Sequence, residues 1–314
     1  MICFGPVPSR RLGNSLGINN VFLPKVCSYN CIYCQVGKTI THRIERLVFY
    51  KPDFVYKTII DYLNKLDKNN LPDYLSFVAN GEPTLDINIG KIIKLLKNIN
   101  LPIAVITNAS LLYQLDVQND LLLSDWVSIK IDAGNNVSWK KINHPYKTLN
   151  FEIYKNSLFD FSKKYKGVLC TETMLIQGVN DNVSQIDNIS SIIAKINPKI
   201  AYISIPIRPP AFSNTIPADL KTLNEAWQIF TNKGINTEFL INLEGTNIGY
   251  TGDAYEDILN ILAVHPLQED SLLELLKKDN ADFSIVQYLL KKELIKSLEY
   301  NGKIFYLHNY KKRY

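Results

Sequence analysis

Apolar residues along this chain fall into two alternating patterns. Short, nearly continuous apolar runs at 16–23, 74–79, 103–107, 126–131, 167–174 and 201–205 read as strands. Between and after them lie longer stretches at 52–66, 87–97, 111–122, 150–165, 182–195 and 219–233, whose apolar residues recur at helical spacing. In the first of these, Phe54, Val55, Ile59, Ile60, Leu63 and Leu66 follow that spacing. A strand that is apolar on both faces has to be covered on both, and the amphipathic helices supply the outer cover. The pattern therefore predicts a parallel sheet wound with helices on its outside. The count is six strand–helix units, not the eight of a closed barrel.

Beyond residue 252 the character changes, and the boundary is placed at 253–265, giving units 1–252 and 253–314. A helix at 253–262 still fits the closing edge of the sheet. Amphipathic helices follow at 268–278 and 283–291, then two runs at 294–300 and 303–308 joined by Asn301-Gly302. Asn-Gly is a strong hairpin signal because both residues accept positive φ. Helix, helix, hairpin is the order of a small winged helix, a module that often reads nucleic acid. Its cations, Lys291, Lys292, Lys296, Lys303 and the tail Lys311-Lys312-Arg313, are diluted by Glu269, Asp270, Glu274, Asp279, Asp282, Glu293 and Glu299. Without a basic stripe, protein docking or capping of the sheet outweighs groove reading.

Composition narrows the picture only a little. A length of 314 residues with 46% hydrophobic content supports a large α/β body with a small appendage. No run approaches a membrane span and the N-terminus lacks the basic-then-apolar order of a signal peptide, so a cytoplasmic protein is expected. Five cysteines, three of them clustered, argue against a secreted disulfide framework. The formal charge of +5 tolerates a polyanionic partner without demanding one.

The clustered cysteines lie in Cys27-Ser28-Tyr29-Asn30-Cys31-Ile32-Tyr33-Cys34. A structural zinc ion wants four closed ligands and a redox dithiol two, whereas a cubane cluster held by three cysteines keeps one iron open. Zinc completed by His42 or Cys3, and three incidental cysteines in a turn, remain alternatives at this point. Cys170, inside Val168-Leu169-Cys170, reads as a core residue, and His144 before Pro145 as a local hydrogen bonder. The opening stretch Phe4 to Gly13 is too rich in proline and glycine for a helix. Its Arg10 and Arg11 suit either a bidentate clamp on a carboxylate or phosphate or salt bridges at the rim.

The C-terminal ends of barrel strands carry a site's chemistry, so the polar residues there are candidates. They are Thr107 and Asn108; Ser128, Lys130 and Asp132; Gln177-Gly178-Val179-Asn180; and Arg208 among Pro206, Pro209 and Pro210. Ser128, Lys130 and Asp132 alternate, which also fits an internally paired barrel face.

The C-x3-C-x2-C spacing, with aromatic Tyr33 before the last cysteine, resembles the loop of the radical S-adenosylmethionine (SAM) superfamily. Asn80-Gly81-Glu82-Pro83, following Leu75-Ser76-Phe77-Val78-Ala79, resembles that superfamily's GGEP-type motif. The resemblance implies an α/β fold, a partial (β/α)6 TIM-like barrel open on one side. It implies one [4Fe-4S] cluster on Cys27, Cys31 and Cys34, whose open iron binds the amino and carboxylate groups of SAM. SAM is then cleaved reductively to methionine and a 5′-deoxyadenosyl radical, with an electron from a donor such as flavodoxin or ferredoxin. Tyr33 would lie against the adenine and Asn80, Gly81, Glu82 and Pro83 would serve the amino group. Asn108, Ser128, Lys130 and Asp132 would meet other cofactor groups, Lys130 the carboxylate. Arg10, Arg11 and Arg208 are left as anchors for an anionic substrate, and RNA stays among the candidates.

A narrower resemblance adds Gly5-Pro6-Val7-Pro8-Ser9-Arg10-Arg11-Leu12-Gly13, Gln35 after the loop, Asn80 to Thr84 and Ala263-Val264-His265-Pro266. Together these look like the radical SAM group related to wyosine tRNA synthetases. True wyosine synthetases carry further cysteines ahead of the loop for a second cluster, and a lysine that captures pyruvate. In this chain only Cys3 precedes the loop and Lys25 abuts it, so neither feature is carried over. Two rivals from other classes are a zinc-binding winged-helix regulator and an iron–sulfur electron carrier. A carrier would need neither the 80–83 turn nor a barrel-sized body.

Overall fold

In the computed structural model a curled sheet of eight strands carries helices on its outer face. The structure describes all residues except 1, 22–23, 67–69, 242–244, 247 and 311–314. Phe22 and Leu23, at the end of the first expected strand, and the tail cations Lys311, Lys312 and Arg313 lie outside the described residues.

The chain begins with β1 (Cys3–Ser9) and β2 (Gly13–Ile18), then the short pair β3 (Val26–Cys27) and β4 (Thr41–His42). It continues through α1 (Pro52–Leu63), β5 (Tyr74–Phe77), α2 (Ile89–Leu96), β6 (Ile103–Thr107), α3 (Leu115–Leu121), β7 (Trp126–Lys130), α4 (Asn136–Asn143) and α5 (Phe151–Lys164). Then come β8 (Val168–Met174), α6 (Val183–Ile196), β9 (Ile200–Ser204), α7 (Leu220–Asn232) and β10 (Thr237–Leu240). The main sheet has the order β1-β2-β5-β6-β7-β8-β9-β10. Every neighbouring pair is parallel except β1 with β2. This is a partial TIM-like barrel.

All six expected strands are present, the first in a shorter form that stops at Ile18. The helix starts follow ordinary capping chemistry. Asn150, Asn182 and Asp219 each accept a backbone N–H of the first turn of α5, α6 and α7, and each such cap stabilises by about 1 kcal/mol.

Besides the two-residue strands β3 and β4, three elements of residues 1–252 were not expected. β1 contains Pro6 and Pro8, which exclude a helix but are tolerated on an edge strand, where no second neighbour needs their N–H. β10 is the opposite edge, short and largely exposed, so it lacks the apolar run that marked the others. α4 is short and mostly polar, with Trp139 and Ile142 as its buried apolar residues.

Strand alternation separates two cores. Outward residues such as Phe77, Val105, Val127, Ile129 and Ile203 pack under the helices with Ile92, Leu121, Leu158 and Ile193. Inward residues Ala104, Trp126, Cys170, Tyr202 and Leu240 join Leu12 to form a separate apolar floor. Above that floor the inner face turns polar with Ser15, Ser76, Ser128, Glu172 and Ser204.

After β10 come α8 (Ala254–Leu262), β11 (Leu267–Gln268), α9 (Glu269–Lys278), α10 (Ser284–Lys291), β12 (Ile295–Tyr300) and β13 (Lys303–His308). β12 and β13 pair through Asn301 and Gly302, both at positive φ, and β11 adds to the outer side of β13. Their core is built from Ile258, Leu262, Leu272, Leu275, Val286 and Leu289, and it reaches Phe4 and Val7 of β1. Among the described residues no helix is long and apolar enough to cross a membrane.

Candidate active site

The cysteine loop is held from three sides. Val26 N donates to Asn80 O at 3.3 Å and Glu82 N to Val26 O at 3.1 Å, tying the loop's start to the 80–82 turn. Asn30 N and Ile32 N donate to Asn143 O and Ile142 O at the end of α4, both at 3.0 Å. Phe212 N donates to Ile32 O at 3.0 Å.

Each sulfur receives an N–H donor. Asn108 Nδ2 stands 3.6 Å from Cys27 Sγ, Asn143 Nδ2 3.4 Å from Cys31 Sγ and Lys25 Nζ 3.0 Å from Cys34 Sγ. Burial pushes the Cys27 and Cys31 thiols up to about 12. Donors aimed at sulfur are what a thiolate-ligated cluster requires, because they stabilise charge left on the ligands.

The two proposed completions of a zinc site lie elsewhere. His42 Nε2 is 3.0 Å from Ser28 O, and Cys3 is buried in β1 opposite Ile18. Among the described residues no group of three or more His, Cys, Asp or Glu is placed to hold a single metal ion.

The 80–83 turn serves first as a lock. Glu82 is buried, and its carboxylate accepts from Thr84 Oγ1 and Thr107 Oγ1 at 2.6 Å each and from Asn108 N at 2.8 Å. Burial raises its pKa above 4.5, with the Thr107, Thr84 and Asn108 hydrogen bonds pulling the other way. Asn80 Nδ2 and Ser128 Oγ are buried polar atoms with no partner among the described residues. Both belong to residues expected to meet SAM, and unpaired buried donors of this kind fit a ligand that brings its own acceptors.

A second network orients Tyr33. Its hydroxyl donates to Asp132, whose carboxylate also accepts from Asn143 Nδ2 and Met174 N at 2.8 Å each. Lys130 Nζ lies 4.9 Å from the centre of the Tyr33 ring, 3.1 Å from Glu172 and 3.6 Å from Asp132. Arg11 also pairs with Glu172, and Ser204 Oγ donates to it at 3.0 Å. Burial would raise the Glu172 pKa, but Lys130, Arg11 and Arg10 overcome it and hold the carboxylate well below the usual range.

Glu172→Gln is therefore expected to cost about 1–3 kcal/mol, by removing the carboxylate that pairs with half-buried Arg11 and leaving Lys130 with Asp132 alone. Because the folded pKa is depressed, Glu172's contribution is complete above the ordinary glutamate value near 4.5 and fades only as pH falls through the lower folded value. Urea unfolding should show the full gap between wild type and variant at pH 7 and at pH 5.

These groups surround a cavity of about 250 Å³ inside the curve of the sheet. Tyr33, Cys34 and Lys130 line it with Arg10, Arg11 and Arg208. The three arginines are thus brought together from both ends of the barrel. Arg10 donates to Leu240 O at 2.5 Å; Arg208 reaches Gln35 Oε1 at 3.4 Å and His265 Nε2 at 3.1 Å. Asn80, Glu82, Pro83, Asn108, Ser128 and Asp132 are not among the residues that line it, and Gly81 packs directly on Val26.

Sequence reasoning missed Asn143, Glu172 and His265 as site residues. Glu172 left a signal, a lone carboxylate inside an apolar strand. Asn143 sits at the end of the unexpected α4 and left none.

A fold of this kind with a three-cysteine loop at its strand ends defines a family. Residues 21–187 match the model described as Radical SAM superfamily, and the chain belongs to that superfamily. It is an enzyme of the radical SAM class. More particularly, it is 41% identical to a UPF0026 protein of Methanocaldococcus jannaschii over 99% of this chain and 97% of that one. A protein of Brachyspira hyodysenteriae named GTPase Obg is 34% identical over 92% of this chain, which spans only 42% of that relative. Among solved structures, a radical SAM methyltransferase from Sphaerobacter thermophilus aligns with a TM-score of 0.55 at 12% identity, over 72% of this chain and 66% of that one. TYW1 with a lysine-pyruvate adduct aligns at 0.49 with 17% identity, over 96% and 83%.

Proposed function

We propose that the chain carries one [4Fe-4S] cluster on Cys27, Cys31 and Cys34 and acts on an anionic substrate held in the cavity beside Cys34. The observation that carries this reading is the convergence of Arg10, Arg11, Lys130 and Arg208 on the same cavity as Tyr33 and Cys34. When bound, cluster and SAM supply a 5′-deoxyadenosyl radical that removes a hydrogen atom from the substrate.

The chain's own part is positioning. Asn108, Asn143 and Lys25 fix the sulfurs, and Asp132 fixes Tyr33 so that its ring offers a face to adenine. Asn80 Nδ2 and Ser128 Oγ serve as donors for polar groups of SAM. Arg10, Arg11 and Arg208 line the cavity and give it the positive charge that holds the substrate anion, with Glu172 setting the positions of Arg11 and Lys130. A low-potential donor of the flavodoxin or ferredoxin type supplies the electron.

Residues 253–314 are read as a winged-helix-like cap. Gln35 Nε2 donates to Val264 O at 3.1 Å, Arg208 meets His265, and Tyr300 donates to Pro206 O at 3.0 Å. These contacts put the segment against the cysteine loop and the end of β9, which supports capping over groove reading. Pyruvate capture of the wyosine type is not favoured, because Lys25 Nζ is held by Cys34 Sγ and Gly37 O away from the cavity.

The test is anaerobic reconstitution followed by dithionite and SAM, with 5′-deoxyadenosine measured against small carboxylates, phosphates and RNA. An anion should stimulate release. Arg10→Gln should raise that anion's KM at least tenfold, about 1.4 kcal/mol, and leave the unstimulated rate nearly unchanged. Fully iron-loaded protein that releases no 5′-deoxyadenosine would sink the reading.

A further inference from the structure

Lys25 is only 2% exposed, yet no carboxylate of the described residues pairs with it. Its Nζ donates to Cys34 Sγ at 3.0 Å and to Gly37 O at 2.7 Å. Its own carbonyl accepts from Ile40 N at 3.2 Å and Thr41 N at 3.0 Å, so the residue is fixed inside the cysteine loop.

A buried ammonium without a countercharge costs several kcal/mol, and three neutral thiols supply none. A thiolate-held cluster does supply one, and it grows more negative when reduced. We propose that Lys25 is the built-in counter-cation of the cluster, stabilising its reduced state through Cys34 and so raising its reduction potential. The proposal rests on the reading that the three cysteines hold a cluster. Lys25 does not line the cavity, so it is a positioning residue and not a catalytic one. Its effect reaches the reaction through the sulfur it touches, since hydrogen bonds and charge at the ligand sulfurs set the potential of such clusters.

The test compares wild type with Lys25→Met, Lys25→Gln and Lys25→Arg, each reconstituted anaerobically with iron and sulfide and without SAM. Iron per chain is measured, then the cluster is titrated with dithionite and followed by electron paramagnetic resonance. The titrated step moves one electron from dithionite onto the cluster and breaks no bond. A neutral variant that loads iron should show at least a tenfold loss in the reduction equilibrium, a midpoint lower by about 59 mV. A neutral variant that loads and titrates at the wild-type midpoint overturns the proposal. Where neither neutral variant loads iron, Lys25→Arg decides: loading there shows that charge is what the loop requires, and failure there shows that shape is, which overturns it. A wild-type protein that assembles no cluster at all would instead bring down the functional reading beneath.

Discussion

Replacing Cys31 with alanine is expected to remove the iron–sulfur absorbance and reductive SAM cleavage together. Cys31 sits where the loop meets α4, with its sulfur beside Asn143 Nδ2 and its neighbour Ile32 bonded to Ile142 O. Alanine leaves that backbone untouched and removes one of the three thiols proposed as ligands, so the expected loss is one of cluster binding and not of folding. Two remaining thiols cannot hold a cubane with one open iron.

The control is Cys170→Ala. That cysteine is buried in the apolar floor with Trp126 and Tyr202, and burial pushes its thiol up to about 11. Its removal should cost roughly 1 kcal/mol as a small cavity and leave colour and cleavage intact. A Cys31→Ala protein that cleaved SAM at the native rate would refute the ligand assignment, and visible spectra with 5′-deoxyadenosine yields decide it.

The superfamily was legible because the C-x3-C-x2-C signal lies in residue spacing. The central strands were legible because outer residues such as Val127, Ile129 and Ile203 and inner ones such as Trp126, Cys170 and Tyr202 keep most of each run apolar despite the polar positions toward its C-terminal end. β10 escaped because Glu238 and Phe239 at a sheet edge stay exposed and leave no such run. The donors to the sulfurs escaped for a different reason. Asn108 was picked out by its place at a strand end but not as a donor to Cys27, 81 residues away, and nothing local marks Asn143, 112 residues from Cys31. Lys25 was visible beside the loop, but its direction was not, and direction decides whether a lysine is a nucleophile in the cavity or a buried charge behind it. The 80–83 motif was legible as a motif, while the engagement of Glu82 with Thr84, Thr107 and Asn108 is a property of the ends of β5 and β6 meeting.

That meeting makes Gly81→Ala the second large expected effect. Gly81 has φ of +143°, and a Cβ built on it would stand 1.7 Å from Val26 O and 2.6 Å from Val26 C. These are backbone atoms, so no rotamer change relieves the overlap. The chain must either pull Val26 away, breaking its bonds to Asn80 O and Glu82 N, or displace Glu82 from Thr107 and Asn108. The first choice moves Cys27 directly and the second loosens the lock beneath it. The backbone conformation costs on the order of 1–3 kcal/mol and the overlap a similar amount. Iron uptake should fall along with the melting temperature. Gly37→Ala separates the two terms: Gly37 also has positive φ, +92°, but nothing lies within 4 Å of its Cβ position. It should therefore lose only the conformational part and still take up iron. A Gly81→Ala protein that melts with wild type and loads iron normally would show that the close approach of the 80–83 turn to Val26 does not govern the cysteine loop.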